Sequence, residues 1–344
     1  MPKQRGLFNF LLAKKQNIDY NLFIATEALY PRWLFLCPAA WEGRDMATLA
    51  ISRIQQKPDN FRRFAIPKNK NIIKGRPLPP PAGIAAWYKK ELRRLTAEML
   101  RSVSAKVEAA YKETAADSMT AQDEDRQAVL QRLLDRTEKE FARLFEEKAL
   151  ELSARMAAME EAQAGRATQS AFNDLKAALT IRPMITPELK QSMQAIIAEN
   201  VNLIKSIQNR YFEQIRGAVN RALLNGGSYS ELKAEISKYN GQNLRRAGLI
   251  ARDQSHKAWT ALSMQKMKDA GINGWEWVHG GGVKTPRETH IKTEAQGGIN
   301  HTIHKTGEKA YDPQKGIERG ILPGELPYCR CFARPVIIIE GKAG

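Results

Sequence analysis

The chain has 344 residues and a mass of 38.7 kDa, which is enough for two or three domains. Its formal net charge is +17, and a hydrophobic content of 43% is enough to build cores, so a wholly disordered basic tail protein is excluded. No apolar run approaches the roughly 20 residues that cross a bilayer, and the odd number of cysteines, 3, favours a reducing compartment over a disulfide framework.

The charge is unevenly distributed along the chain. Residues 1–85 carry a net charge of +9, residues 86–163 carry −2 and residues 164–344 carry +10. Basic surfaces attract anionic partners, and nucleic acids are the commonest of these, although excess Lys and Arg also serves solubility alone. We therefore expect nucleic-acid contact through two basic regions that flank a nearly neutral middle.

Residues 1–84 are predicted to be a basic, aromatic-containing arm that ends in a proline-rich linker. The linker finishes with Pro79–Pro81, a run that favours an extended conformation and cannot continue a helix. Its basic side chains suit a phosphate backbone or the acidic surface of a partner, and a loosely held arm is an equal alternative. The candidate contact residues are Arg62, Arg63, Lys68, Lys70, Lys74 and Arg76.

Residues 85–182 are predicted to form a long helical stalk. They contain few Gly or Pro, and their apolar residues recur at helical spacing from Leu130 to Met156. This pattern indicates a helical hairpin or a coiled-coil-like stalk with a solvated, charged face. A weaker helical segment is predicted from Gly165 to Thr180.

Three further helices are predicted between residues 186 and 270. Thr-Pro-Glu at residues 186–188 is a helix start signal, and Asn-Gly-Gly at residues 225–227 is a stop signal. Ser-Tyr-Ser-Glu at residues 228–231 has the form of a capping box and starts the second helix. The third helix is predicted from about Asn243 to Lys268.

Residues 271–344 change in character and are predicted to be a small α+β module. Alternating aromatic residues at 275–279 predict a strand, and the glycines at 280–282 predict a turn. The run 332–339, interrupted by Pro335, predicts a short terminal edge strand. The predicted fold class is thus mainly α, with long amphipathic helices followed by a C-terminal, loop-rich α+β module.

Histidines and cysteines cluster between residues 256 and 331. Two thiolates and two imidazoles suit tetrahedral zinc, and a Cys-x-Cys on an extended segment points both sulfurs to one side. The usual structural spacing is Cys-x2–4-Cys, however, and a second cysteine pair is missing. Packing within a loop-rich core is therefore the favoured interpretation, and no cofactor is predicted. The zinc candidates are His290, His301, His304, Cys329 and Cys331.

No catalytic residue is predicted. The glycines at 280–282 lack the Gly-Lys-Ser/Thr core of a phosphate loop, which argues against nucleotide hydrolysis. The alternative function is a nucleic-acid-processing enzyme, a metal-independent nuclease whose His, Arg and Lys side chains surround a phosphate. Its candidate residues are Lys284, Arg287, His290 and His304.

An ordered set of short motifs spans residues 186–335. A helical run starts at Glu199, the helix from Asn243 follows, and a Gly-Ile turn with nearby tryptophans comes next. Arg-x-x-His, Pro-Gly and Cys-Arg-Cys then complete the set, and in this order the motifs resemble the phage Mu F-type minor head proteins of the phage head morphogenesis family. The family-motif residues are Arg287, His290, Pro323, Cys329, Arg330 and Cys331.

The resemblance implies that residues 183–344 are a Mu F-like head morphogenesis domain of a structural virion protein, and not an enzyme. It implies a place in the phage head near the portal vertex, after assembly in the host cytoplasm. The implied roles are head morphogenesis and DNA packaging or ejection. The implied partners are the portal protein, the major capsid or other head proteins and the double-stranded DNA genome, bound without sequence specificity, with no membrane.

Overall fold

Four long helices make up most of the chain that the structure describes. The structure is a computed structural model and describes residues 72–116, 123–172, 185–225, 228–282, 285–312 and 320–339. The helices are α1 (Ala82–Ala116), α2 (Asp123–Ser170), α3 (Pro187–Leu224) and α4 (Tyr229–Asp269). Strands β1 (Ile72–Lys74), β2 (Gly274–Val278), β3 (Ile303–Lys305) and β4 (Phe332–Ile338) form one sheet, and a short helix, α5 (Glu288–Ile291), lies between β2 and β3.

These elements confirm the predicted fold class, a mainly helical chain with an α+β module. The predicted arm lies outside the described residues up to position 71, as does Lys284. Among the described residues, no helix combines the length and the hydropathy that crossing a membrane requires.

Local capping signals set the starts of α3 and α4, as predicted. The Thr186 hydroxyl accepts a hydrogen bond from the Leu189 backbone N–H, and Pro187 occupies the first turn. At the start of α4, Ser228 and Glu231 form a reciprocal capping box. Each cap satisfies backbone N–H groups that have no partner within the helix, which fixes where the helix begins.

Helix α4 is one continuous helix of 41 residues, so the prediction of two separate helices between residues 228 and 268 was wrong. Gly241 lies within α4 and is exposed, and a side chain added there would meet nothing within 4 Å. An interior glycine costs a helix only about 1 kcal/mol relative to alanine. Packing on both sides of Gly241 outweighs this cost, since Leu232, Ile236, Ala247 and Ala251 are all buried in one core.

The first two helices do not project as a separate stalk. Tyr88 and Val103 of α1, Phe145 of α2 and Tyr211 of α3 are fully or almost fully buried in one shared core. A buried polar contact adds to it, because the Tyr88 hydroxyl donates to Asn200 Oδ1 at 2.8 Å. The apolar face predicted for the stalk is therefore covered by α3 and α4.

The sheet has the order β1-β4-β2-β3, and all its neighbouring strands are antiparallel. The prediction that the last strand lies at an edge was wrong, because β4 pairs with both β1 and β2. A proline cannot donate a backbone hydrogen bond to a neighbouring strand. Pro335 is tolerated there because β1, the strand beside it on that side, has already ended. Its carbonyl accepts from the Gly75 N–H at 2.9 Å, one residue beyond the end of β1.

A second apolar core joins the sheet to the helices. Trp275 and Trp277 of β2 pack with Trp259 of α4, and Phe172 after the end of α2 belongs to the same cluster. The Trp259 indole N–H donates to the Leu78 carbonyl at 2.9 Å. Buried side chains on both sides of the predicted domain boundary at residue 182 therefore share one core.

Two buried carboxylates of α2 face α4. Glu161 forms an ion pair with Lys266 at 2.5 Å, and both side chains are almost fully buried. Glu160 accepts a hydrogen bond from the Ser255 hydroxyl at 2.5 Å. Burial raises the pKa of Glu160 to about 8, although the hydrogen bond from Ser255 acts in the opposite direction. Glu160 is therefore protonated in the folded protein near neutral pH.

Glu160 predicts a pH dependence of stability. Between its ordinary pKa of 4.5 and its folded pKa of about 8, only the folded state holds the proton, so stability falls as the pH rises. The slope contributed by this group is at most about 1.4 kcal/mol per pH unit. We expect Glu160→Gln, which is neutral at every pH, to lose this slope and to gain stability over the wild type with rising pH.

Urea unfolding at several pH values between 5 and 8 measures this difference. Glu147→Gln, which removes an exposed carboxylate of the same helix, is the matched control and keeps the wild-type slope. A stability difference between Glu160→Gln and the wild type that does not change with pH would contradict the prediction.

Candidate functional site

Three buried side chains from distant parts of the sequence meet beside the sheet. Cys329 and Cys331 come from the extended segment that leads into β4, and His290 comes from α5. The Nδ1 atom of His290 lies 3.5 Å from Cys329 Sγ and 3.6 Å from Cys331 Sγ. The three potential ligand atoms all lie within 4.8 Å of one another. We call these three residues the Cys-His cluster.

A fourth side chain, His279, adjoins the cluster. Its Nδ1 atom lies 3.7 Å from Cys331 Sγ. The β2–β4 register pairs Val278 with Phe332, so the next residues along the two antiparallel strands are His279 and Cys331. Sequence reasoning did not select His279, and only the strand register would have identified it.

A buried carboxylate sets the orientation of His290. Its Nε2 atom lies 3.2 Å from Asp312 Oδ2, and both side chains are buried. The ring also meets Trp277 edge-on, with ring centroids 4.9 Å apart. Because Nε2 faces the carboxylate, the other ring nitrogen, Nδ1, faces the two sulfurs. Sequence reasoning did not select Asp312 either, because a single aspartate in a loop carries no recognisable signal.

The two thiols of the cluster influence each other's ionisation. A hydrogen bond from Cys331 is the main reason why the pKa of Cys329 is lowered, and the nearby His290 adds to this effect. Donation of that hydrogen bond, together with burial, raises the pKa of Cys331. The cluster therefore favours one thiolate, on Cys329.

Backbone contacts around the Cys-Arg-Cys segment explain several family-motif residues. Gly324, next to Pro323, adopts a positive φ of 79°, and a side chain there would lie 2.3 Å from the His256 ring. Arg330 Nη1 donates to the Gly282 carbonyl at 2.6 Å, and Arg287 Nη2 donates to the Pro327 carbonyl at 3.0 Å. Both arginines thus hold loops in place.

The other two zinc candidates lie away from the cluster. His301 contacts the buried carboxylate of Glu276 at 2.8 Å, where Lys74 and Arg334 also form ion pairs. Burial alone would raise the pKa of Glu276, but hydrogen bonds from His301 and Lys74 and the charge of Arg334 outweigh it and lower that pKa.

His304 likewise has its own partners. Its Nε2 atom lies 2.7 Å from the Thr302 hydroxyl, and its ring packs on Trp275 with centroids 4.6 Å apart. Burial lowers the pKa of His304 and so favours the neutral ring. The structure therefore places His290 beside the two cysteines, whereas His304 contacts Thr302 and Trp275 instead.

The basic residues predicted to contact nucleic acid are only partly described. Lys74 forms an ion pair with Glu276 at 3.1 Å, whereas Arg76 is exposed. The remaining four, Arg62, Arg63, Lys68 and Lys70, lie outside the described residues.

A basic cleft of about 580 Å³ lies between α3 and α4. Arg210, Arg245 and Arg246 line it, together with Lys257 and its ion-pair partners Glu199 and Asp253. Pro327 and Tyr328 from the Cys-Arg-Cys loop form one edge. Burial, and to a smaller extent the positive charge of Arg210, lowers the pKa of Arg246. An anion bound between the two guanidinium groups would relieve the repulsion between them. We call this surface the arginine cleft.

Comparisons with known proteins address the C-terminal part of the chain. The family model described as Phage Mu protein F like protein matches residues 213–334, which confirms the resemblance over this segment. A protein of Haemophilus influenzae, described as uncharacterized, is 29% identical over 152 residues, covering 44% of this chain and 31% of that protein. The chain thus spans about a third of the length of this curated relative. No solved structure matches.

Gly280 allows the turn after β2 to approach the backbone of the Cys-Arg-Cys segment closely. A Cβ atom at position 280 would lie 2.0 Å from the Arg330 carbonyl oxygen, so the backbone of one segment has to move. We expect Gly280→Ala to lower the free energy of unfolding by about 1–3 kcal/mol, the usual cost of overpacking.

Urea unfolding measures this loss, and Gly241→Ala is the control. Position 241 is open and helical, so alanine there is expected to raise stability by about 0.5–1 kcal/mol. Equal stability of Gly280→Ala and the wild type would show that the close approach carries no constraint.

Proposed function

We propose that this protein is a structural minor head protein of a tailed bacteriophage and acts in head morphogenesis. The observation that carries the proposal is the match of residues 213–334 to the Phage Mu protein F like family. The matched segment contains α4, β2, β3, the three residues of the Cys-His cluster and their neighbour His279.

The geometry of the cluster favours a structural role over catalysis. Each ring nitrogen of His290 already faces a protein group, either Asp312 or the cysteines, and the ring is buried. Arg287 points to a backbone carbonyl and His304 to Thr302, so the described residues of the nuclease alternative do not converge on a phosphate. The nuclease alternative has no support.

We place the protein in the virion, near the portal vertex, with the portal protein and other head proteins as partners. The charged outer faces of α1 and α2 suit contact with neighbouring proteins. Exposed acidic and basic side chains alternate there, as in the pairs Lys106–Glu140 and Lys148–Glu151. Such surfaces support specific, polar interfaces between subunits.

The packaged genome is the proposed anionic partner. The net charge of +17 favours a polyanion, and the arginine cleft offers a site where Arg210 and Arg246 gain from a phosphate between them. Arg245, exposed on the same cleft, adds a third positive charge. The contact would be to phosphate groups, and it would therefore be independent of base sequence.

Co-expression with the portal protein of the same phage tests the head-protein proposal. We expect the two proteins to co-purify, and we expect this chain to be present in purified heads in few copies. Absence from purified heads, together with no association during co-expression, would overturn the proposal. Either result is independent of whether the protein binds DNA.

The arginine cleft predicts a salt-dependent affinity for double-stranded DNA. The double variant Arg210→Gln, Arg245→Gln is expected to bind DNA more weakly and to show a shallower dependence of affinity on salt, because about two phosphate contacts are lost. Fluorescence anisotropy with two unrelated DNA sequences measures both quantities, and the two sequences should give equal affinities.

The matched control is Arg132→Gln, Arg136→Gln, which removes the same charge from the exposed face of α2. A general effect of net charge would weaken DNA binding equally in both double variants. That outcome would remove the arginine cleft as the contact surface.

A further inference from the structure

The distances in the Cys-His cluster match the edges of a tetrahedral zinc site. Bond lengths of about 2.3 Å to sulfur and about 2.0 Å to nitrogen, at tetrahedral angles, separate neighbouring sulfur and nitrogen ligands by roughly 3.5 Å. The observed distances from Cys329 and Cys331 to His290 are 3.5 and 3.6 Å, and that from Cys331 to His279 is 3.7 Å. The ligand atoms of the three cluster residues thus surround a space of suitable size, whereas His279 is close to Cys331 and would move toward the ion to complete the tetrahedron.

The donor atoms and their surroundings also fit zinc. Two sulfurs and two imidazole nitrogens form a set that is typical of Zn²⁺, whereas Mg²⁺ and Ca²⁺ prefer oxygen. Asp312 accepts from the opposite nitrogen of His290, which is the arrangement that orients histidine ligands in zinc proteins. The two cysteines are free thiols and do not form a disulfide.

We propose that Cys329, Cys331, His290 and His279 bind one Zn²⁺ ion as a closed structural site. The proposal goes beyond the function in the phage head and does not depend on it. Binding joins zinc to both sulfurs and to the Nδ1 atoms of the histidines, and the thiol protons pass to solvent. His301 and His304 take no part, because Glu276 and Thr302 hold them elsewhere.

The site would connect the short helix α5 to the two paired strands β2 and β4. His279 follows β2, His290 belongs to α5, and the cysteines precede β4. A short four-residue helix such as α5 has little stability of its own. A zinc ion would fix α5 and the Cys-Arg-Cys loop to the sheet, since a structural zinc adds its binding free energy to folding.

Metal analysis of the full chain, purified without chelator under reducing conditions, is the first test. We expect about one zinc per chain, close to a one-to-one ratio. After the metal is removed, addition of Co²⁺ should produce the ligand-field bands of tetrahedral cobalt and a sulfur-to-cobalt charge-transfer band. Less than about 0.1 zinc per chain, with no such cobalt spectrum after reconstitution, would overturn the proposal.

Single substitutions then test the assignment of each ligand. Cys331→Ser, His290→Ala and His279→Ala are expected to lower the zinc content or to weaken zinc binding, whereas His301→Gln and His304→Gln are expected to keep one zinc per chain. Equal loss in the ligand variants and in the control variants would overturn the assignment. Unchanged zinc affinity of His279→Ala would overturn the four-residue site.

Misfolding of a ligand variant is distinguished by two further measurements. Circular dichroism reports whether the long helices persist, and the cobalt spectrum of the wild type identifies sulfur ligation without any substitution.

Asp312→Asn keeps all four ligands and is expected to weaken zinc binding by about 10- to 100-fold, the usual effect of losing the carboxylate behind a histidine ligand. Unchanged affinity in this variant would contradict the role of Asp312 in positioning His290.

Discussion

The antiparallel pairing of β2 with β4 is the interaction on which the rest of the module depends. Its register places Val278 opposite Phe332 and so brings His279 next to Cys331. The same pairing places β4 inside the sheet, where β1 can add to its other side. A shift of the register by one residue would turn every side chain of β4 to the opposite face and would separate the cysteines from their histidine neighbours.

The module is not independent of the helices that precede it. The segment that matches the family begins at residue 213, within α3, yet its buried side chains contact residues far upstream. Leu78 accepts the indole hydrogen bond of Trp259, and Phe172 lies in the same core. The described residues 72–116 and 123–172 therefore complete the burial of apolar surface that the matched segment would otherwise expose. Such burial is the main favourable term in folding.

Local signals made the helices predictable. A cap such as Ser228 with Glu231, or Thr186 before Pro187, acts within one turn, so the sequence shows both partners together. The continuity of α4 through Gly241 was harder to predict, because the burial on each side of this glycine is not visible in the local sequence.

Long-range pairing made the sheet and the cluster less predictable. Strand β1 has three residues and no alternating pattern, and it forms only because β4 offers an unpaired edge. The two cysteines and His290 were among the candidates, but their partners His279 and Asp312 depend on contacts between residues 22 to 52 positions apart. Nothing in the sequence separates these two residues from the other histidines and aspartates.

One loop connects the arginine cleft with the buried Cys-His cluster. Pro327 and Tyr328 form an edge of the arginine cleft and directly precede Cys329. The Tyr328 backbone N–H donates to Asp253 on α4, and Arg287 donates to the Pro327 carbonyl, so the loop is held from both sides. An ion bound to Cys329 and Cys331 would fix the end of the same loop. The proposed zinc ion would in this way also help to shape the edge of the arginine cleft that Pro327 and Tyr328 form.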